Sequence, residues 1–330
     1  MRLLECVANI SEGKSRSKID QLSAAISEGG STLLHIDSGE SANRSVFTFA
    51  GSPEDVCNSA FLLSAAARDL IDMRYHSGEH PCIGAADVLP LIPLAGLSLV
   101  ECKQLAWNLA DRIWKELKVP CYLYAANAAN NKPRKLNDLR GKSFAQLNQQ
   151  ITLSDLKPDI GEGLHHTAGI SIVGARDLML AFNINLETKS IDLGRRIARR
   201  LRAIRDSRLK RAGKSLDSVM FMAWYLSDRD LVQISTNIYD FREAPLDFIF
   251  DLVRELAQEI GIQVTGSEII GMLPIAALLS DRQLPESELT LALEKKVADL
   301  NLNDLEPFNI NQRILELALK KSFNFDLPRL

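Results

Sequence analysis

Between residues 177 and 270 the apolar residues change spacing four times, in the order strand, helix, strand, strand, helix, strand. Alternate-residue patterning marks strands at 177–186, 218–226, 231–238 and 263–270, and a three-to-four-residue spacing marks helices at 191–205 and 245–260. A β-α-β-β-α-β order is the ferredoxin-like plan, in which one antiparallel sheet buries a single face under two helices. The first half opens the same way. Strand-like runs at 3–10, 32–36 and 45–49 alternate with helical spacing at 17–27 and from Pro53 to 70, and a strand at 88–92, a helix at 99–117 and a strand at 121–124 follow. The chain is therefore expected to be α/β in the α+β sense, with two versions of one βαββαβ scheme. The expected divisions are 1–176, 177–280 and a helical appendage at 281–330, where Leu289, Leu293, Val297 and Leu300 share a face. The segment 127–163 is polar and weakly periodic and reads as a connecting excursion.

Composition narrows the function classes. A chain of 330 residues with 46% apolar and 25% charged residues has enough material for two real cores. A net charge of −3 argues against a globally basic nucleic-acid binder. No run reaches the roughly 18 apolar residues of a membrane span, and Glu5 and Asn9 interrupt the first apolar stretch, so a cytoplasmic protein without a signal peptide is expected. Cysteines 6, 57, 82, 102 and 121 are scattered without a C-x-x-C pair and read as reduced thiols.

Polar islands interrupt this pattern. The densest runs from His76 through Gly78, Glu79, His80, Pro81 and Cys82 to Asp87. Imidazole alone among side chains titrates near neutrality without perturbation, so His80 on such a loop is a candidate for proton transfer. The plain alternative is that His76 and His80 cap the preceding helix. A second alternative is zinc, because His76-x-x-Glu79-His80 matches an inverted zincin pattern. That chemistry needs a continuous helix, which Gly78 and Pro81 oppose, so no metal is expected. A second island, 37–44, holds Asp37, Asn43 and Arg44 between two strands. Asp37 suits an amidine and Arg44 a carboxylate, although Asp, Ser, Gly and Asn are also ordinary turn residues. A third, 9–13, follows the first strand. The helix at 191–205 and the segment after it carry Arg195, Arg196, Arg199, Arg200, Arg202, Arg205, Arg208, Lys210, Arg211 and Lys214. This is either a polyanion-binding face or a solvated one.

Several of these stretches occur together in one family. The runs Glu5-Cys6-Val7-Ala8-Asn9-Ile10-Ser11-Glu12-Gly13, Asn43-Arg44-Ser45-Val46-Phe47-Thr48-Phe49, Gly78-Glu79-His80-Pro81, Phe182-Asn183-Ile184-Asn185-Leu186 and Gly266-Ser267-Glu268-Ile269-Ile270-Gly271 make the chain resemble glutamate formiminotransferases of the stand-alone bacterial type. The same module forms the formiminotransferase part of the bifunctional formiminotransferase-cyclodeaminases. The resemblance implies a homodimer of two-subdomain chains, with the sheets facing each other across a folate-binding tunnel and the helices outside. It implies transfer of a formimino group from N-formimino-L-glutamate to tetrahydrofolate, a step of histidine degradation and one-carbon metabolism. Tetrahydrofolate would be a co-substrate, and the basic helix face is the expected place for a polyglutamate tail on it. The implied catalytic residue is His80; beside it Asp37 is a catalytic candidate for holding the charge on the formimino nitrogens, and Arg44, Asn43 and Glu79 are candidates for the amino-acid substrate. The folate loop falls on Gly161, Glu162, Gly163, Leu164, His165, His166, Thr167, Ala168 and Gly169. The chain departs from the family at Cys82, where arginine is usual, and in lacking aromatic residues in that loop. A diverged relative that binds folate or another anion without this activity is therefore a second reading.

Overall fold

A computed structural model describes residues 1–128, 144–153, 157–208, 210, 213–279 and 284–323. The chain forms two compact units, Met1–Asp177 and Leu178–Leu330. In the first unit, β1 (Leu3–Ile10) is followed by α1 (Arg16–Glu28), β2 (Thr32–Gly39), β3 (Arg44–Gly51), α2 (Pro53–Leu70) and β4 (Ala86–Ala95). Then come α3 (Leu99–Arg112), β5 (Cys121–Leu123), α4 (Phe144–Leu153) and β6 (Ser171–Ala175). The sheet order is β2-β3-β1-β4-β6-β5. Its first four strands pair antiparallel in the ferredoxin-like arrangement, and β6 and β5 extend it in parallel.

Three helices of this unit start where a side chain satisfies an otherwise orphaned backbone N–H. Ser15, Ser52 and Ser98 cap α1, α2 and α3, and Ser98 forms a reciprocal capping box with Glu101. The helices pack on one sheet face, where Cys6, Ala8, Phe47, Phe49, Leu89 and Leu91 meet Ile19, Leu22, Leu63 and Leu109 in one buried core. Strand alternation sends their neighbours to the other face. There Val88, Tyr122 and Ile172 are covered by Leu147 and Ile151 of α4. Toward β1, β3 and β2 that same face turns polar, through Glu5, Asn9, Thr48, Arg44, Asp37 and His35.

The second unit repeats the plan. β7 (Leu180–Leu186), α5 (Ile191–Asp206), β8 (Val219–Leu226), β9 (Leu231–Ile238), α6 (Leu246–Gln258) and β10 (Val264–Ile270) form a sheet ordered β10-β7-β9-β8. All neighbouring strands are antiparallel. The Phe182-to-Leu186 stretch splits by alternation. Phe182, Ile184 and Leu186 enter the core with Ile197, Leu201, Ile249 and Leu256. Asn183 and Asn185 face the other way, where Gln233 donates to Asn185 at 2.8 Å and to Glu268 at 3.1 Å. Leu289, Leu293, Val297 and Leu300 of the tail join this same core. Among the described residues no helix is long and apolar enough to cross a membrane.

Two boundaries differ from the sequence expectation. The polar island expected as a loop at 37–44 is mostly strand: Asp37, Ser38 and Gly39 finish β2 and Arg44 begins β3. Only residues 40–43 turn, closed by the Asn43 N–H to Glu40 carbonyl bond with Asn43 at φ 45°. The second difference is β6, a strand that the sequence expectation does not include. It lies between β4 and β5 and is buried throughout.

Candidate active site

The polar islands converge at one end of the first sheet. α2 stops at Leu70, so His76 and His80 lie beyond its last turn on a non-helical loop and cap nothing. Two adjacent residues hold them, the last of the β2–β3 turn and the first of β3. Asn43 contacts His76 Nδ1 at 3.3 Å, and the Arg44 guanidinium contacts His80 Nε2 at 2.5 Å. Arginine has no lone pair to offer, so in this contact His80 Nε2 accepts and the ring proton rests on Nδ1. His80 is buried, at 8% exposure, against a charged group rather than in aliphatic packing.

The loop carrying His80 is fastened along its length. Glu79 N–H donates to the Ser41 carbonyl at 2.9 Å, and the Glu79 side chain is exposed. A Cβ on Gly78 would lie 2.2 Å from the Ala42 carbonyl oxygen, so only glycine lets these two loops approach. Asn43 Oδ1 accepts from Gly13 N–H at 3.1 Å and its Nδ2 donates to the Ser77 carbonyl at 2.9 Å, which ties in the 9–13 island. Ser11 Oγ donates to the Gly84 carbonyl and Ser45 Oγ to the Glu12 carbonyl. Glu12 accepts from the backbone of Lys14 and Ser15 and pairs with Lys18; these bonds hold its carboxyl below the usual range against the opposing effect of burial. Asp87, fully buried, accepts from Ile83 N–H at 2.9 Å.

The expected folate loop lies against the same segment. Ala85 N–H donates to the Ala168 carbonyl, Ile170 N–H to the Ile83 carbonyl and Met73 N–H to the Thr167 carbonyl. A Cβ on Gly84 would sit 2.0 Å from the Ile170 carbonyl oxygen. His165 Nδ1 accepts from Thr167 and Ala168 N–H, closing the loop from within, and its ring stacks on His166 at 4.6 Å between centroids. Burial, together with His166 and Arg68, holds His165 below the ordinary imidazole range. Gly161 and Gly163 take positive φ, Glu162 is exposed and Leu164 packs beside the small α4 cluster.

Asp37 is arranged otherwise. It shares the Arg44 face of the sheet by alternation, and its carboxylate meets His35 Nε2 at 3.1 Å. Sequence reasoning did not assign a site role to His35, Glu12 or Ser45; Ser45 reaches Glu12 from 33 positions away, while His35 and Glu12 find their partners close by in the chain. The same polar face holds Glu5, 2% exposed, whose carboxyl is pushed up to about 7 by burial, with Arg176 opposing. On α5, Arg200 pairs with Glu259, Arg202 and Arg205 donate to carbonyls of β8, and Arg195, Arg196 and Arg199 are exposed. All five cysteines are free thiols, three of them buried.

The chain is an α+β protein of two ferredoxin-like units, the first carrying a guanidinium-held histidine on a loop bound to a glycine-rich one. The family model described as "Formiminotransferase domain, N-terminal subdomain" matches residues 3–176, and the one described as "Formiminotransferase domain" matches residues 181–320. The chain belongs to the formiminotransferase family. It is 38% identical over 330 residues to the formimidoyltransferase-cyclodeaminase of Sus scrofa, covering 97% of this chain and 60% of that protein. It is 38% identical over 282 residues to the glutamate formimidoyltransferase of Thermoplasma acidophilum, covering 84% of this chain and 90% of that one. The corresponding protein of Streptococcus pyogenes serotype M1 is 36% identical over 280 residues, with 84% and 91% covered. The chain spans about three fifths of the length of the bifunctional relatives it matches.

Proposed function

We propose that this chain transfers the formimino group of N-formimino-L-glutamate to tetrahydrofolate, releasing glutamate, as a cytoplasmic homodimer serving histidine degradation and one-carbon metabolism. The observation that carries this reading is the Arg44–His80 contact beside the clasped 161–169 loop. The attacking amine of tetrahydrofolate forms a bond to the amidine carbon and must lose a proton. The glutamate nitrogen must gain one as its bond to that carbon breaks. One imidazole does both: His80 Nε2 takes the first proton and returns it to the leaving nitrogen, for a gain of about 10²- to 10⁴-fold. Its lone pair is held by Arg44 until a substrate carboxylate recruits the guanidinium, whose five donors can serve both groups in turn.

Asp37 stabilises the positive charge on the formimino nitrogens, and the residue 161–169 loop lies along the folate. Asn43 keeps the two histidines in register through its contacts with His76 and Gly13, and Glu79 orients the loop through its backbone. The exposed Arg195, Arg196 and Arg199 take a polyglutamate tail by charge. The test is glutamate release from formiminoglutamate by purified protein, with and without tetrahydrofolate. Release only when both are present supports the reading. Tetrahydrofolate binding with no release favours a diverged binding protein, the alternative that Cys82 and the loop composition raise.

A further inference from the structure

His76 stands beside the proposed proton carrier with no assigned task. Its tautomer is fixed by its partners. Asn43 Oδ1 accepts from Gly13 N–H, so the amide's nitrogen is the atom facing Ser77 and His76. Nδ2 donates to His76 Nδ1, and the ring proton must therefore be on Nε2. That Nε2–H is buried and meets no acceptor among the described residues. A buried donor without an acceptor costs folding free energy and survives where a ligand supplies the acceptor.

The surrounding charge indicates which ligand. Lys14, Glu12 and Asp87 are the ionisable groups that act on His76. The two acids are turned inward: Glu12 accepts from Lys14 and Ser15 N–H and pairs with Lys18, and Asp87 accepts from Ile83 N–H. The Lys14 side chain is exposed, and Arg44 follows Asn43 directly in the chain. Lys14 thus puts positive charge on the exposed side, while Glu12 is engaged by backbone N–H groups and Lys18. Burial lowers the His76 pKa, which keeps the ring a neutral donor near neutral pH.

We propose that His76 binds the amino-acid substrate directly, donating Nε2–H to a carboxylate oxygen of formiminoglutamate and of the glutamate it becomes. This rests on the formimino-transfer reading and adds a specificity residue to it. Two substitutions separate donation from mere packing. His76→Asn can keep the contact with Asn43 and loses the distal donor, whereas His76→Gln places an amide N–H near the Nε2 position. Glutamate itself is the probe, titrated calorimetrically against each protein, with thermal melting as the folding control. His76→Asn is expected to weaken glutamate binding about tenfold to a hundredfold, as for a hydrogen bond to a charged group, and to raise KM for formiminoglutamate in parallel with kcat little changed. His76→Gln is expected to restore most of both. Unchanged glutamate binding in His76→Asn, an equal loss in folded His76→Gln, or no glutamate binding by the unsubstituted protein overturns the assignment. Glutamate binding that depends on His76 without any transfer to tetrahydrofolate would instead remove the activity reading and leave this carboxylate site in place.

Discussion

Replacing Glu5 by glutamine should stabilise the protein at alkaline pH and do much less at acid pH. Glu5 lies on the polar face of β1, opposite Ala50 and Ile92, at 2% exposure, and its Oε2 has no hydrogen-bond partner among the described residues. Its carboxyl is raised from 4.5 to about 7, chiefly by desolvation. The sign follows from proton uptake: the folded chain holds this proton between pH 4.5 and 7, where the unfolded chain has released it. Its contribution is fully present below pH 4.5, falls as pH rises and is lost above about 7. The loss is the shift of about 2.5 pKa units at 1.36 kcal/mol each, or about 3 kcal/mol. Glutamine mimics the protonated acid and does not titrate. The urea-unfolding free energy of Glu5→Gln relative to the unsubstituted protein should therefore become more favourable by about 2–3 kcal/mol between pH 5 and pH 8, then level off. Other titrating groups cancel in that difference. A difference that stays flat over this range would refute the claim that a protonated carboxyl is stored under the sheet.

Two further outcomes follow from packing. Gly84→Ala places a Cβ 2.0 Å from the Ile170 carbonyl oxygen, and should cost about 1–3 kcal/mol by urea unfolding while loosening the join between the His80 loop and the 161–169 loop. Phe182→Ala empties a fully buried position of the second core and should cost about 3–5 kcal/mol by the same measurement, with glutamate binding unaffected if its contacts lie on the first unit's loops.

Much of this architecture is legible in the sequence because the buried faces obey simple periods. Phe182, Ile184 and Leu186 against Asn183 and Asn185 announce a strand with one apolar face, and Ser52-Pro53 and Ser98 with Glu101 announce helix starts. The 37–44 island misleads because Asp37 and Arg44 sit on a sheet face that carries polar groups, so strand residues look like loop. Strand β6 is short, parallel and buried on both sides, which removes the alternation that marks strands at a half-exposed face. His80 stands out by composition alone. Its hold by Arg44, and that of His76 by Asn43, joins residues more than 30 positions apart. No local pattern carries such a pairing; the His35–Asp37 contact, by contrast, joins neighbours on one strand face.

The most direct trial of His80 compares His80→Ala with the unsubstituted protein in two assays, glutamate release under saturating substrates and tetrahydrofolate binding by fluorescence titration. Loss of release by about 10²- to 10⁴-fold, with tetrahydrofolate affinity kept, is the predicted result. Release persisting at close to the original rate in the alanine protein would contradict the account.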